Sequence, residues 1–395
     1  MSSETETESL PCVKAAKRSG EEILQRLKER KLLRRYAKIT SDDKFIYLPL
    51  VRVLTAAELA EIGDIELLTR KIVLLKPRKS VKEILGFKPS YSYEIIGDIA
   101  VLTGADREAE AAAVTERSEE SELAAMAQAI MDCHKNIKVV TRQTSPVKGE
   151  FRRRTMAVIA GTERTETLHT ENRCRYKLDL EKVYFNPRLA GERNRVALQV
   201  TRSRVDEEII DMFAGVGSFA IQVAKRNPQS HVTAIEINPD AIRYLKENMK
   251  LNGLRNIAVV EGDVRRVYTR FIGTADRLIM NLPKSAYLFM REALSMLNPE
   301  GGIVHFYDIE SSYSDTGADV GAGADMPQQP PREDEDRKKK SPERAVRLAK
   351  EKLIARMQEL SEEYSFHSIE ILDARKVIAY APYTYIIGID AVISP

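Results

Sequence analysis

The chain has 395 residues, enough for two or three domains, and its 43% hydrophobic and 31% charged residues are the balance of a folded, water-soluble protein. No apolar run approaches the roughly 18 residues of a membrane helix, and the opening MSSETETESLPCVK lacks the basic-then-apolar order of a secretory signal. Cys12, Cys133 and Cys174 lie far apart with no Cys-x-x-Cys pair, which argues against structural zinc or a disulfide framework and for a reducing, cytoplasmic setting.

Net charge is only +3, but residues 141–204 hold 15 Lys/Arg against 7 Asp/Glu, including the triplet Arg152-Arg153-Arg154. Such an excess suits a polyanion such as RNA, and it equally suits a solvated basic surface.

Residues 11–15 read as a strand and Ser19 opens a helix with Ile23, Leu24 and Leu27 at helical spacing. Residues 36–40 and 45–50 around the turn 41–44 read as a hairpin, which completes a small α+β domain over 1–79. A second unit, 80–180, holds strands near 92–96, 99–102, 137–141, 155–161, 166–171 and 175–180, with a helix over 107–131. From 181 to 395, strands at 209–213, 231–235, 257–261, 277–280 and 302–307 alternate with helices at 218–226, 239–252 and 288–297. That order implies a parallel, doubly wound α/β sheet. Residues 311–341, rich in Gly, Asp, Pro, Gln and Lys, read as a disordered insertion. A helix over 342–363 and antiparallel strands at 377–381 and 385–392 close the chain.

The strand over 209–213 runs into Asp211-Met212-Phe213-Ala214-Gly215-Val216-Gly217. Gly215 and Gly217 permit a tight turn and close approach of a ligand at the carboxyl edge of the sheet. Ala220 at the third position leaves a dinucleotide open by that test alone. Three acids at successive strand ends decide more. Asp211 suits the cationic methionine end of S-adenosylmethionine, Glu236 the two ribose hydroxyls and Asp263 the adenine amino group, with Ile237 and Val264 beside them. The fold class expected is therefore α/β, a class I (Rossmann-like) S-adenosylmethionine methyltransferase sheet with two smaller N-terminal α+β domains.

The fourth strand ends in Asn281-Leu282-Pro283-Lys284, a departure from the Asn/Asp-Pro-Pro-aromatic tetrapeptide of enzymes that methylate planar nitrogen. The Asn281 carboxamide can donate to and accept from a base edge while Pro283 fixes the backbone.

With these residues in place the chain resembles the archaeal and eukaryotic tRNA guanine-37 N1-methyltransferases. The resemblance spans nearly the whole chain. It is carried by GEFRRR (149–154), ETLHTENRCRYKLDLEKVYFNPRLAGER (166–193), DMFAGVG (211–217), EINPDAI (236–242), NLPKSA (281–286), HFY (305–307) and YAP (380–382). Arg173-Cys174, where the family commonly has Gly-Tyr, and the long insertion depart from it. The resemblance implies tRNA as partner and places Arg152, Tyr184, Glu192 and Asn281 around the target guanine. Guanine N1 carries a proton at neutral pH, so Glu192 is expected as general base and Arg152 as the charge that stabilises O6. Tyr184 is expected against the extruded base, and Arg188 and Arg193 as a phosphate-holding rim. Glu192 paired with a neighbouring arginine and Tyr184 in the core are the plainer readings. His305 reads as a structural hydrogen bonder, and no histidine–carboxylate spacing suggests a metal. The protein is expected to act as a monomer, without metal or membrane. Transfer of an aminocarboxypropyl group, methylation of a wyosine precursor, and non-catalytic RNA binding are the alternatives.

Overall fold

A computed structural model of the protein describes residues 6–75, 79–105, 119–145, 149, 151–202, 206–312, 341–360, 363–364, 366 and 368–395. Its contacts gather into two compact units, Met1–Gly86 and Phe87–Pro395. Residues 313–340 of the expected disordered insertion and the first half of the 107–131 helix fall outside the described residues, while Ser311, expected in the insertion, ends a strand.

The first unit contains β1 (Thr7–Ala16), α1 (Gly20–Glu29), β2 (Thr40–Ser41), β3 (Phe45–Pro49), α2 (Ala56–Ile62), β4 (Glu66–Val73) and α3 (Val81–Leu85). The strands form an antiparallel sheet in the order β2-β3-β1-β4. Ile23 and Leu27 of α1 share a core with Leu48, Leu50 and Ile62. Capping boxes, Thr55 with Glu58 and Ser80 with Glu83, start α2 and α3 by satisfying their first backbone donors. The strand expected over 36–40 shrinks to β2: Tyr36 adopts φ +59, and Ala37 pairs with Leu74 just beyond β4 instead of with β3.

The second unit opens with β5 (Tyr91–Ile96), β6 (Ile99–Ala105), α4 (Glu119–Cys133), β7 (Val139–Gln143) and β8 (Met156–Gly161), a four-stranded sheet in that strand order. The hairpin β9 (Glu166–Glu171) and β10 (Cys174–Asp179) follows, then α5 (Ala190–Arg202). The catalytic-type sheet is built from β11 (Glu208–Asp211), α6 (Ser218–Arg226), β12 (His231–Glu236), α7 (Pro239–Asn252), β13 (Ile257–Glu261) and α8 (Val264–Val267). It continues with β14 (Arg277–Met280), α9 (Met290–Met296), β15 (Gly302–Ser311), α10 (Pro342–Leu360), β16 (Ser368–Ala381) and β17 (Thr384–Ser394). Its seven strands run β13-β12-β11-β14-β15-β17-β16, parallel up to β15 and antiparallel where β17 inserts.

One core joins segments that the sequence separates. Ile96, Ile99, Val101 and Val139 of the first sheet pack in a single cluster with Tyr176, Val196, Ile209, Phe219 and Tyr244. Asn248, fully buried on α7, ties the hairpin to the glycine loop: its Nδ2 donates to the carbonyls of Lys177 and Val216, and its Oδ1 accepts from Lys177 N–H. The helix expected over 288–297 is a 3-10 turn, Ala286–Phe289, followed by α9. α5 is absent from the sequence reading, because Gly191 and four charged residues within AGERNRVALQVTR break its apolar pattern.

Candidate active site

The chain order reverses between β11 and β14: β12 and β13 continue on one side, β14 leads to β15 on the other. A crevice opens beyond the carboxyl ends of strands at such a switch point, and ligands bind there. The cleft found there has an empty volume of about 950 Å³, open solvent at its mouth included. Phe213, Gly215, Glu236, Ile237, Asp263, Val264 and Asn281 line it, together with Arg152 and Tyr184.

Local geometry explains how the strand ends are shaped. Gly217 caps α6 at φ +86, and a Cβ there would lie 2.3 Å from Leu245 Cδ1, so only glycine fits. Gly215 (φ +56) has no heavy atom nearer than 4.0 Å to the position of a Cβ, which leaves the backbone open to the cleft. Its N–H donates to Glu236 Oε2 at 2.7 Å, while the N–H groups of Ile237 and Asn238 donate to Oε1 at 2.9 and 2.7 Å. These bonds aim the carboxylate and only partly offset burial, which pushes its pKa up. Asp211 is 1% exposed; its Oδ1 accepts a long bond from Phe213 N–H (3.4 Å) and its Oδ2 has no partner. Burial pushes its pKa up to about 7, with the neighbouring Glu236 charge adding to the rise.

Asp263 caps α8 through Arg265 N–H and also receives the Arg265 guanidinium at 2.6 Å, which holds its carboxyl below the usual range. Phe213 and Phe289 meet edge to face at 4.9 Å along the wall. Pro283 is buried beneath the cleft rather than on its surface, and its carbonyl accepts from Ile309 N–H, which ties the 281–284 turn to β15.

Arg152 and Tyr184 come together: the guanidinium lies 4.4 Å from the ring centroid, and Arg152 holds φ +52. Tyr184 thus belongs to the cleft and not to the core. The other two arginines of the triplet turn elsewhere, Arg153 to Asp240 and Arg154 to the Leu180 carbonyl. Arg193 corrects the expected phosphate rim. It is 1% exposed and doubly bonded to Glu171 at 2.6 and 2.7 Å, so its charge is spent inside the protein. Arg188 remains half exposed, 3.7 Å from Glu94.

Glu192 does not reach the lining of the cleft. It sits on the first turn of α5, 8% exposed, where Oε1 accepts from Arg195 (2.8 Å), Arg375 (2.5 Å) and the Tyr307 hydroxyl (2.7 Å). Burial would raise its pKa, but the two guanidiniums outweigh it and hold it at about 2. Beneath it Asp390 takes Arg195 at 2.6 Å and His305 Nδ1 at 2.7 Å. His305 Nε2 faces Arg277 Nη1 at 2.8 Å; a guanidinium only donates, so Nε2 accepts and the proton lies on Nδ1. His305 is therefore neutral, in accord with burial lowering its pKa. Sequence reasoning gave Arg195, Arg375, Asp390 and Tyr307 no role at the site. Only Arg195, three residues beyond Glu192, carries a local signal, since that spacing places both on one helix face.

Comparison with known proteins bears on this arrangement. The TRM5/TYW2 methyltransferase domain matches residues 167–316, the tRNA methyltransferase 5 N-terminal domain 12–58, and the TYW2 N-terminal domain 78–165. A tRNA (guanine(37)-N(1))-methyltransferase Trm5b of Methanocaldococcus jannaschii is 34% identical over 96% of this chain and 97% of its own. The chain belongs to the TRM5/TYW2 methyltransferase family. Trm5b of Pyrococcus abyssi is 39% identical over 75% of this chain and 83% of its own. Its crystal structure covers 98% of this chain and 100% of its own, with 32% identity and a TM-score of 0.60.

S-adenosylmethionine is the cofactor of this methyltransferase, and the residues present fit it. Asp211 Oδ2 is a buried carboxylate oxygen with no partner, near the partly buried Glu236 carboxylate, an arrangement that asks for a cation. Gly215 leaves backbone room, and Glu236 Oε2, which accepts one bond, keeps a lone pair for a hydroxyl. Among the described residues no cluster of His, Cys, Asp and Glu could hold a metal ion, and no helix is long and apolar enough to cross a membrane.

Proposed function

We propose that this protein transfers a methyl group to N1 of guanosine 37 in the anticodon loop of tRNA. The observation that carries the reading is the meeting of Arg152, Tyr184 and Asn281 on a cleft lined by Glu236 and Asp263, with Asp211 buried just beneath. Likeness to two Trm5b proteins over 75% and 96% of the chain supports it, as does a fold shared with aTrm5, solved in complex with tRNALeu, at 32% identity and a TM-score of 0.58.

S-adenosylmethionine supplies an electrophilic methyl group when bound. Asp211 would hold its cationic end, Glu236 the ribose and Asp263 the adenine, with Ile237 and Val264 beside them. The target base must leave the loop stack to reach the cleft. The Tyr184 ring, now covered by Arg152, offers it a face; the guanidinium then moves to the base edge and stabilises charge developing on O6. Asn281 reads the same edge. For Glu192 to accept the N1 proton its side chain has to leave Arg375 and Arg195 and turn into the cleft, since it lies outside the lining here and the two guanidiniums hold it at about 2.

A second reading is favoured by a specific likeness. A tRNA 4-demethylwyosine(37)-methyltransferase Taw21 of Saccharolobus solfataricus is 34% identical over 54% of this chain and 76% of its own. Methyl-labelled S-adenosylmethionine offered with unmodified transcripts bearing G or A at position 37 decides between them. Label found only with G37 and recovered as 1-methylguanosine supports the first reading. Label reaching only a wyosine-precursor tRNA supports the second, and no transfer to any tRNA rejects both.

A further inference from the structure

The YAP segment, residues 380–382, takes no part in the cleft and forms the tip of the β16–β17 hairpin. The ladder pairs Ala381 with Thr384, so Pro382 and Tyr383 make a two-residue turn. Proline followed by a residue of positive φ is the pattern of a type II turn, whose second central position ordinarily goes to glycine or asparagine. Here Tyr383 occupies it at φ +55, an unfavourable conformation for a bulky side chain. The ladder also slips between Ala379 and Ala381, leaving Tyr380 in a bulge, a device that re-aims a side chain. Both tyrosines are exposed, at 49% and 41%. Two irregularities thus place two partly exposed tyrosine side chains where a regular hairpin would carry glycine and a paired residue.

The surroundings say what those faces suit. Lys284 Nζ lies 5.4 Å from the Tyr380 ring, and Lys284 ends the turn that begins at Asn281, so the tip stands beside the mouth of the cleft. Ser312 N–H donates to the Tyr383 carbonyl at 2.8 Å and anchors the tip on the end of β15. Of the cations on the flanking segments, Arg277, Arg291 and Arg375 are paired with Glu207, Glu363 and Glu192, while Lys284 and Lys376 lie over the rings of Tyr380 and Tyr385. The nearby acids of β15, Asp308 and Glu310, both receive Lys352, at 2.8 and 3.1 Å. Exposed aromatic faces among cations, with the acids neutralised, match the way proteins hold unpaired nucleotides, by base stacking and phosphate attraction.

We infer that Tyr380 and Tyr383 form a stacking platform for an unpaired RNA base that flanks the methylated guanosine, with Lys284 meeting the adjoining phosphate. Extruding the target guanosine breaks its stacking with its neighbours, and the platform replaces that contact for one of them. The inference rests on the tRNA reading above.

The test compares the whole protein with Tyr380→Ala, Tyr380→Phe and Tyr383→Gly. Tyr380→Ala and Tyr383→Gly are each expected to weaken tRNA binding about tenfold, within the range stacking on one aromatic ring supplies, while Tyr380→Phe stays within about twofold. Cofactor affinity is expected to be unchanged in all three. Tyr383→Gly separates recognition from folding: glycine relieves the turn, so its melting temperature holds or rises while RNA affinity falls. 2-Aminopurine beside the target is expected to lose fluorescence on binding the wild type but not Tyr380→Ala. Wild-type binding of tRNA with unaltered affinity in Tyr380→Ala and Tyr383→Gly overturns the platform alone. A wild-type protein that binds no tRNA overturns the functional reading and the platform with it.

Discussion

Asp211 illustrates how a functional residue is recognised by what it costs. Its carboxyl, ordinarily near 3.8, titrates at about 7 in the folded protein, because burial opposes the charge. A raised carboxyl favours the folded state fully below about 3.8, and that contribution is lost as pH rises to about 7. Above pH 7 the ligand-free protein holds a buried charge at a cost. Asp211→Asn is therefore expected to melt higher than wild type at pH 8, with the difference shrinking between pH 7 and pH 4. Calorimetry on the same variant is expected to find cofactor binding weaker by at least about tenfold, the scale of a buried charge-assisted contact. Equal cofactor affinity in variant and wild type would remove Asp211 from the site.

Glu192 has the opposite sign. Held at about 2 against an ordinary 4.5, it stabilises the fold above pH 4.5, and that contribution is lost as pH falls toward 2. Glu192→Gln is expected to lower kcat by about 100-fold or more, in the range of general-base removal, with tRNA affinity nearly unchanged. Arg375→Gln leaves Glu192 one guanidinium fewer, so the acid limb of the kcat profile is expected to move to higher pH. Parallel loss of kcat and tRNA affinity in Glu192→Gln would assign the residue to scaffolding instead.

At the scale of elements, the glycine loop between β11 and α6 is the tightest constraint near the site. Gly217→Ala places a Cβ 2.3 Å from Leu245 Cδ1 at φ +86, both a clash and a strained backbone. A loss of about 2 kcal/mol in unfolding free energy is expected, in line with a strained left-handed residue, together with weaker cofactor binding. Denaturant unfolding with and without S-adenosylmethionine measures both; an unperturbed midpoint would mean that α7 yields freely. The strands and the longer helices of the 208–296 region were legible in the sequence because short apolar strands alternate there with amphipathic helices, while the short α8 was not. Asn238 and Pro239 start α7, and Gly253 ends it in a left-handed cap. β4 and α5 were not legible. β4 reads ELLTRKIV, and its burial does not alternate, since only Ile72 is fully buried.

Across the whole molecule, the cluster that joins Ile99 and Val139 to Phe219 and Tyr244 makes residues 87–395 one cooperative body by contact. A fragment of 87–395 is expected to fold and to bind S-adenosylmethionine as the full chain does. A fragment of 181–395 lacks Ile96, Val101, Tyr176 and Leu178 of the same core and is expected to lose its cooperative melt. Circular dichroism melts of the two fragments check this, and a sharp transition in the shorter one would show that the catalytic sheet stands alone.

The sequence by itself determined the doubly wound sheet, the glycine loop and the three acids at successive strand ends. Each of these is a local pattern, set by backbone conformation and by the period of apolar residues. Only the tertiary structure decided which charges are available. Arg193 is spent on Glu171, and Glu192 is held by Arg375 from 183 residues further along the chain. Arg152 alone of its triplet turns to the cleft. Charge pairing depends on which side chains the fold brings within about 4 Å, and no spacing along the chain encodes that distance.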